Sequence, residues 1–441
     1  MNSGDFFLLL YGNLWLYFLS LVISFFSFFV FYKRYFISIW DPILVSLVFS
    51  AFACATPIFL FMLGKISWFY FLVFLSTQLA FLVGLLVCKP LNPRVENSTI
   101  YKLEHEQLAF KIFFILVFFI HLILQLYIYK ENGIPVFMFS KLEIYGAADI
   151  LQFENRIVTI LYPFLSFCAV YFLFTKKSFG FRIFTWIAII WVIINGILSA
   201  SRGFFLIIGE SIFILLIFYD TLETKFTFIK FRMLERKMIL WSIVFALLVI
   251  MVQFSDGSNP FYVLAYRLAA SGDSYYMSLP NGVIDQMDHG HGLISIFSSP
   301  LKMFGLIKDS QMPESIGYQL VHYYTPGLDF TGPNSRHTLI GYLYLGLGGA
   351  IVFSFTLGFV ASFVRNMLYY VCRKNKLTVL LYLGLLIFVS KFEMDYFTAQ
   401  SYFINFLLFI IPLLVTAIFL AELLKFKPLA KPDNQKHLIE T

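Results

Sequence analysis

The sequence predicts an all-α, polytopic helical membrane protein with about 11 transmembrane helices and one large extramembrane loop. Three observations predict it. The first is composition: 60% of residues are hydrophobic, 20% aromatic and 13% charged, whereas a soluble globular domain is about 25% charged and about half apolar. A surface this poor in charge has to face lipid. The second is a series of apolar runs, each long enough to cross about 30 Å of hydrocarbon. The third is a charge asymmetry between alternate connections.

The runs lie at 6–32, 42–64, 67–88, 107–129, 153–175, 183–200, 203–219, 238–255, 338–364, 378–395 and 401–423. The first has neither a basic leader nor a small-residue cleavage site, so it reads as a retained span rather than a signal peptide. The connections after spans 1, 3, 5, 7 and 9, with the C-terminal tail, carry 21 lysines and arginines. The opposite connections carry far fewer. The positive-inside rule then puts the N-terminus outside and the C-terminus in the cytoplasm.

On the outer side lie 130–152 and a longer segment, 256–337. In the latter, stretches 259–279, 291–306 and 313–324 have mixed amphipathic spacing and predict short helices lying on the membrane surface. The chain reads as a single integral-membrane domain over 1–441. The four cysteines, Cys54, Cys88, Cys168 and Cys372, have no pairing pattern. The net charge of +7 reflects loop lysines and arginines on one side of the membrane, not a nucleic-acid partner.

Ionisable residues close to membrane depth are costly and mark candidate sites. Arg156 opens span 5, Arg202 sits in the tight Ser199-Ala200-Ser201-Arg202-Gly203 turn, Arg267 lies in the large loop, and Arg336 precedes span 9. All are on the sparsely charged side, where a topogenic role does not explain them. Their convergence predicts an anion held against the bilayer, since a guanidinium fork matches phosphate oxygens. Plainer readings stand beside this one: Arg202 snorkelling to headgroups, Arg267 pairing with Asp273, Arg156 anchoring the interface. Lys391, Glu393 and Asp395 end span 10. Their Glu-x-Asp pattern is a weak metal signal that pairing with Lys391 explains equally well. His289 and His291 read as solvated loop residues.

The run Thr331-Gly332-Pro333-Asn334-Ser335-Arg336-His337 predicts a turn feeding a helix capped by Asn334 or Ser335. The helix dipole and Arg336 would hold His337 neutral, ready to act as a general base. The plain alternative is a histidine bonded to the cap. No nucleotide-binding or zinc motif is present, so no cofactor and no metal are expected.

The serine/arginine turn, the arginine-bearing large loop and the Gly-Pro turn running into Thr338-Leu339-Ile340-Gly341-Tyr342 resemble the Wzy-type O-antigen and repeat-unit polymerases. So does the overall plan of spans. The resemblance implies a helical membrane glycosyltransferase of the GT-C type that needs no cofactor. It would move a growing glycan from undecaprenyl pyrophosphate onto a lipid-linked repeat unit, with inversion. Its partners would be undecaprenyl-pyrophosphate-linked oligosaccharides, membrane lipids and a chain-length-regulating membrane protein. Arg202, Arg267 and Arg336 would clamp the pyrophosphate, Arg156 would hold the second lipid, and His337, Glu154 or Asp273 would take the acceptor's proton. Two other readings stand: an O-antigen ligase using the same donor, and a transporter or flippase of lipid-linked oligosaccharides.

Overall fold

The computed structural model describes residues 1–92, 106–137, 151–175, 178–199, 204–219, 260–308, 314–326, 332–372 and 375–425, with five single positions between 237 and 251. The described residues form helices and no strand. Eight helical segments are long and apolar enough to cross a membrane, and two shorter apolar helices, Phe205–Phe218 and Leu377–Ser390, accompany them. Ten of the eleven expected runs therefore have a helix. The other, 238–255, lies almost wholly outside the described residues, although Leu240, Val244, Leu247 and Met251 within it are helical.

The first run is two helices rather than one span. α1 (Ser3–Gly12) ends at Asn13, whose φ of −139° and ψ of 38° leave the helical region, and α2 (Leu14–Tyr32) begins the crossing. α1 packs on the large loop: Phe6 stacks on Tyr276 at 4.2 Å and Phe7 on Tyr266 at 4.0 Å. The N-terminal helix and the large loop therefore share one side of the bundle, called the loop side below.

α3 (Pro42–Met62) starts on the opposite side, where Asp41 caps it by accepting from the Ile43 amide at 3.1 Å. α4 (Trp68–Leu86) returns, and α5 (Glu106–Asn132), α6 (Gln152–Thr175), α7 (Phe179–Leu198) and α8 (Phe204–Tyr219) complete one flank. The large loop holds α9 (Pro260–Ala270), α10 (Asp273–Ser278), α11 (Leu293–Ile296), α12 (Ser298–Met303) and α13 (Ile316–Tyr324). These match the three amphipathic stretches, but α10 does not lie on the surface. Tyr275 and Tyr276 are buried in the core, because the loop dips between the spans.

The expected ninth span is a helical hairpin. α14 (His337–Ser362) is broken at Gly346, where φ is 69° and ψ −179°, a conformation open to glycine and strained for other residues. The chain reverses there. The His337 ring lies 2.9 Å from the Ser354 hydroxyl, 17 residues on, a separation that would be about 25 Å along a straight helix. The arm 337–345 rises to the loop side and the arm after Gly346 descends. The descending arm crosses α4 closely: a Cβ on Gly358 would meet the Phe81 carbonyl, and one on Gly84 the Phe355 carbonyl. Small residues at a crossing let membrane helices approach in this way.

On the side opposite the loop, a π-helical turn at Phe363–Met367 carries Arg365 into the core. α15 (Leu368–Cys372), α16 (Lys376–Ser390), α17 (Tyr396–Asn405) and α18 (Ile411–Lys425) follow. Arg365, counted above among the loop cations, is 1% exposed and bonds Asp41 at 2.5 and 2.9 Å. It also donates to the Tyr35 carbonyl at 2.7 Å and to Asn366 at 2.6 Å. It is a buried structural cation rather than a solvated loop residue.

Candidate functional site

The site lies where the α10 segment, the ascending arm of α14 and the turn 391–395 between α16 and α17 meet α3 and α4. Its level follows from helix geometry. Ser50, which Arg336 reaches, is twelve residues from the loop-side end of α3, about 18 Å at 1.5 Å per residue. The charges therefore lie inside the bundle, not at the rim where the sequence placed them.

Arg336 occupies the N-cap position of α14 with no side-chain cap, in place of the expected Asn334 or Ser335. It is 3% exposed. One terminal nitrogen donates to Ser50 Oγ at 3.3 Å and to the Glu393 carbonyl at 3.0 Å, and the other donates to the Ser271 carbonyl at 3.1 Å. The guanidinium also stands 5.9 Å from the Tyr275 ring. Three separate segments are thus tied to one cation.

Glu393 turns its side chain the other way. Its Oε2 meets His337 Nε2 at 2.7 Å, and its Oε1 accepts from Gln78 at 2.9 Å. His337 is 1% exposed and stacks on Phe81 at 4.9 Å. With Nε2 on Glu393 and Nδ1 on Ser354, both ring nitrogens are engaged. The sequence read His337 as a neutral general base or as a histidine bonded to the helix cap. The geometry instead makes it a buried partner of a carboxylate with no free ring nitrogen.

Asp273, like Asp395, is partly open. It belongs to the loop helices rather than to a span. Burial pushes its pKa up to about 6, against the lowering effects of the Ser274 amide and the Arg336 charge. Asp395 caps α17, accepting from the amides of Phe397 at 3.1 Å and Thr398 at 3.2 Å. The two carboxylates of the Glu-x-Asp pattern therefore serve different partners. Lys391 stands over the Tyr402 ring at 5.6 Å and interacts electrostatically with Glu210 and Asp395.

Glu210 is the residue the sequence reading missed. It is the lone carboxylate in an otherwise apolar span, and an intramembrane ionisable group is a candidate by default. Glu210, Lys391, Asp395, Arg336 and Asp273 form a chain of alternating charge, linked pairwise by their electrostatic interactions.

The other expected residues are dispersed. Arg267 is exposed on the last turn of α9, and Arg156 is exposed in the first turns of α6. Glu154 has a buried Oε2 without a hydrogen-bond partner. Its neighbour Phe153 packs on Phe409 at 5.5 Å, a different wall of the bundle. Arg202 lies outside the described residues. Among the described arginines of the expected clamp, only Arg336 is buried in the polar centre. His289 is exposed, as expected of a solvated loop residue, and its ring also meets the Leu343 carbonyl at 3.0 Å near the Gly346 corner.

Comparison with family models, with curated proteins and with solved structures finds no match.

Proposed function

We propose that this chain is a membrane glycosyltransferase that polymerises lipid-linked oligosaccharides. It would work as an O-antigen-type repeat-unit polymerase on the periplasmic face of a bacterial inner membrane. The observation that carries the reading is the pairing of a fixed cation with an available base. Arg336 is immobilised by three segments, and the partly open carboxyl of Asp273 lies within its field. In the reaction, the acceptor sugar's hydroxyl oxygen attacks the anomeric carbon of the growing glycan. The bond from that carbon to the pyrophosphate breaks, and the electron pair leaves with polyprenyl pyrophosphate. Asp273 takes the hydroxyl proton. Charge grows on the leaving group as its bond breaks, so a cation held in place beforehand favours the transition state over the ground state.

Of the three bases the sequence offers, Asp273 fits best, because His337 has both nitrogens engaged. The test is the surface glycan of a deletion strain complemented by wild-type protein or by Asp273→Asn. Loss of the ladder to a single capped repeat, restored by wild type alone, supports the reading. Bare core would point to a ligase or flippase, and an unchanged ladder would overturn the proposal.

One observation favours a second reading. The alternating charges from Glu210 to Asp273 are sunk in the bundle, as in proton-coupled transporters. In that case the deletion strain would accumulate lipid-linked repeat units on the cytoplasmic leaflet.

A further inference from the structure

Three buried donors near Asp273 have no acceptor: Thr56 Oγ1, Ser274 Oγ and Arg336 Nε. Their residues are 0%, 1% and 3% exposed. A buried polar group without a partner is costly, so three such groups need an explanation.

They come from three elements that meet around residues 271–274. A Cβ on Gly272 would lie 2.1 Å from Thr56 Oγ1. Arg336 bonds the carbonyl of Ser271, and Ser274 is two residues further along. A helical threonine ordinarily returns its hydroxyl to the carbonyl four residues back. Thr77, Thr185 and Thr356 do so here, at 2.7, 2.8 and 2.8 Å. Thr56 does not: its hydroxyl has no hydrogen-bond partner. The hydroxyl of Thr56 is therefore available for something else.

Two neutral hydroxyl donors and one edge of a fixed guanidinium suit an oxyanion, since each offers a hydrogen and one adds charge. We infer that Thr56, Ser274 and Arg336 Nε form a subsite for a phosphate oxygen of the lipid-borne donor. This deepens the polymerase reading and rests on it. Thr56 and Ser274 then act as substrate-binding residues that no charge pattern would single out.

The test is calorimetric binding to the purified full chain in lipid nanodiscs, with farnesyl pyrophosphate, inorganic pyrophosphate and farnesol as probes. Wild type should bind farnesyl pyrophosphate and not farnesol. Competition by inorganic pyrophosphate would place the recognition in the phosphates, and failure to compete would tie it to a lipid-borne phosphate. Thr56→Val, which keeps the shape and deletes the donor, should weaken binding at least tenfold with an unchanged unfolding midpoint. Ser274→Ala should do the same and serves if Thr56→Val folds poorly. Unchanged affinity in both variants would overturn the subsite and make it a water-filled packing feature, while leaving the polymerase reading in place. No binding by wild type would also overturn it, and the deletion strain's ladder would then decide the polymerase reading separately.

Discussion

Arg336 and Glu393 meet through the backbone: the guanidinium donates to the Glu393 carbonyl at 3.0 Å, while the Glu393 carboxylate turns away to His337 at 2.7 Å. The cation is thus held by carbonyl and hydroxyl oxygens, and the Glu393 carboxylate is engaged by a histidine. A carboxylate bonded directly to Arg336 would neutralise it. This arrangement keeps its charge available.

Arg336→Ala should abolish polymer formation. Removing one preorganised donor to a developing negative charge costs about 2.7–4 kcal/mol, or about 10²–10³ in rate. Arg336→Lys should recover only part, because a lysine cannot reach Ser50, Ser271 and Glu393 with one planar fork. The check is ladder intensity at equal protein level; a normal ladder from Arg336→Ala removes it from the chemistry.

His337→Gln should keep near-normal polymer, since an amide can donate to Glu393 without taking a proton. His337→Ala leaves a buried carboxylate with one hydrogen-bond partner fewer, at a cost of about 1–3 kcal/mol. Its unfolding midpoint in detergent should fall well below that of the Gln variant. A Gln variant that folds normally and makes no polymer would return His337 to the mechanism.

Asp273 gives a pH dependence with a defined sign. A base must be unprotonated, and its pKa is pushed up to about 6, so turnover should rise with pH through about 6 and level off above it. Asp273→Glu should retain an acidic limb, and Asp273→Asn should lose activity at every pH. The stability contribution runs the other way. Because the folded pKa exceeds the ordinary 3.8, stability from this group is full at lower pH and is lost as pH rises through about 6. An activity profile flat from pH 5 to 8 would rule Asp273 out as the base.

The Asp41–Arg365 pair predicts a defect in folding rather than chemistry. Arg365→Ala strands a buried carboxylate beside Tyr32, whose hydroxyl donates to it at 2.9 Å, and should cost about 3–5 kcal/mol. The protein that does fold should polymerise at the wild-type rate per molecule. Reduced abundance on immunoblot with unchanged specific activity is the expected result.

Much of this was legible in the sequence, for reasons that particular residues show. Arg336, Asp273 and Glu393 stood out because charge is rare in an apolar chain, and the short loop helices followed from their mixed spacing. The break at Asn13 and the reversal at Gly346 did not show, because hydropathy averages over single residues and both lie in continuously apolar runs. Arg365 was misread because a cation just past an apolar run looks like loop charge until its partner, Asp41, 324 residues away, is seen. Glu210 was legible by the same rule that found Arg336. Thr56 was not, since a threonine in a span ordinarily satisfies itself.

The Gly346 corner also bears on how the protein is assembled. The arm 337–345 has nine residues, about 13 Å of helix, too short to hold itself across a bilayer, and its lower end carries Arg336 and His337. Neither residue can be left facing lipid, so this arm can settle only after α3, α4 and the turn at 391–395 are in place to receive it. The polar centre is then the last part of the bundle to close. Substitutions far from it that slow helix assembly should therefore yield protein that is inserted and full-length yet still open at Arg336, and sensitive there to water-soluble reagents that the finished molecule resists.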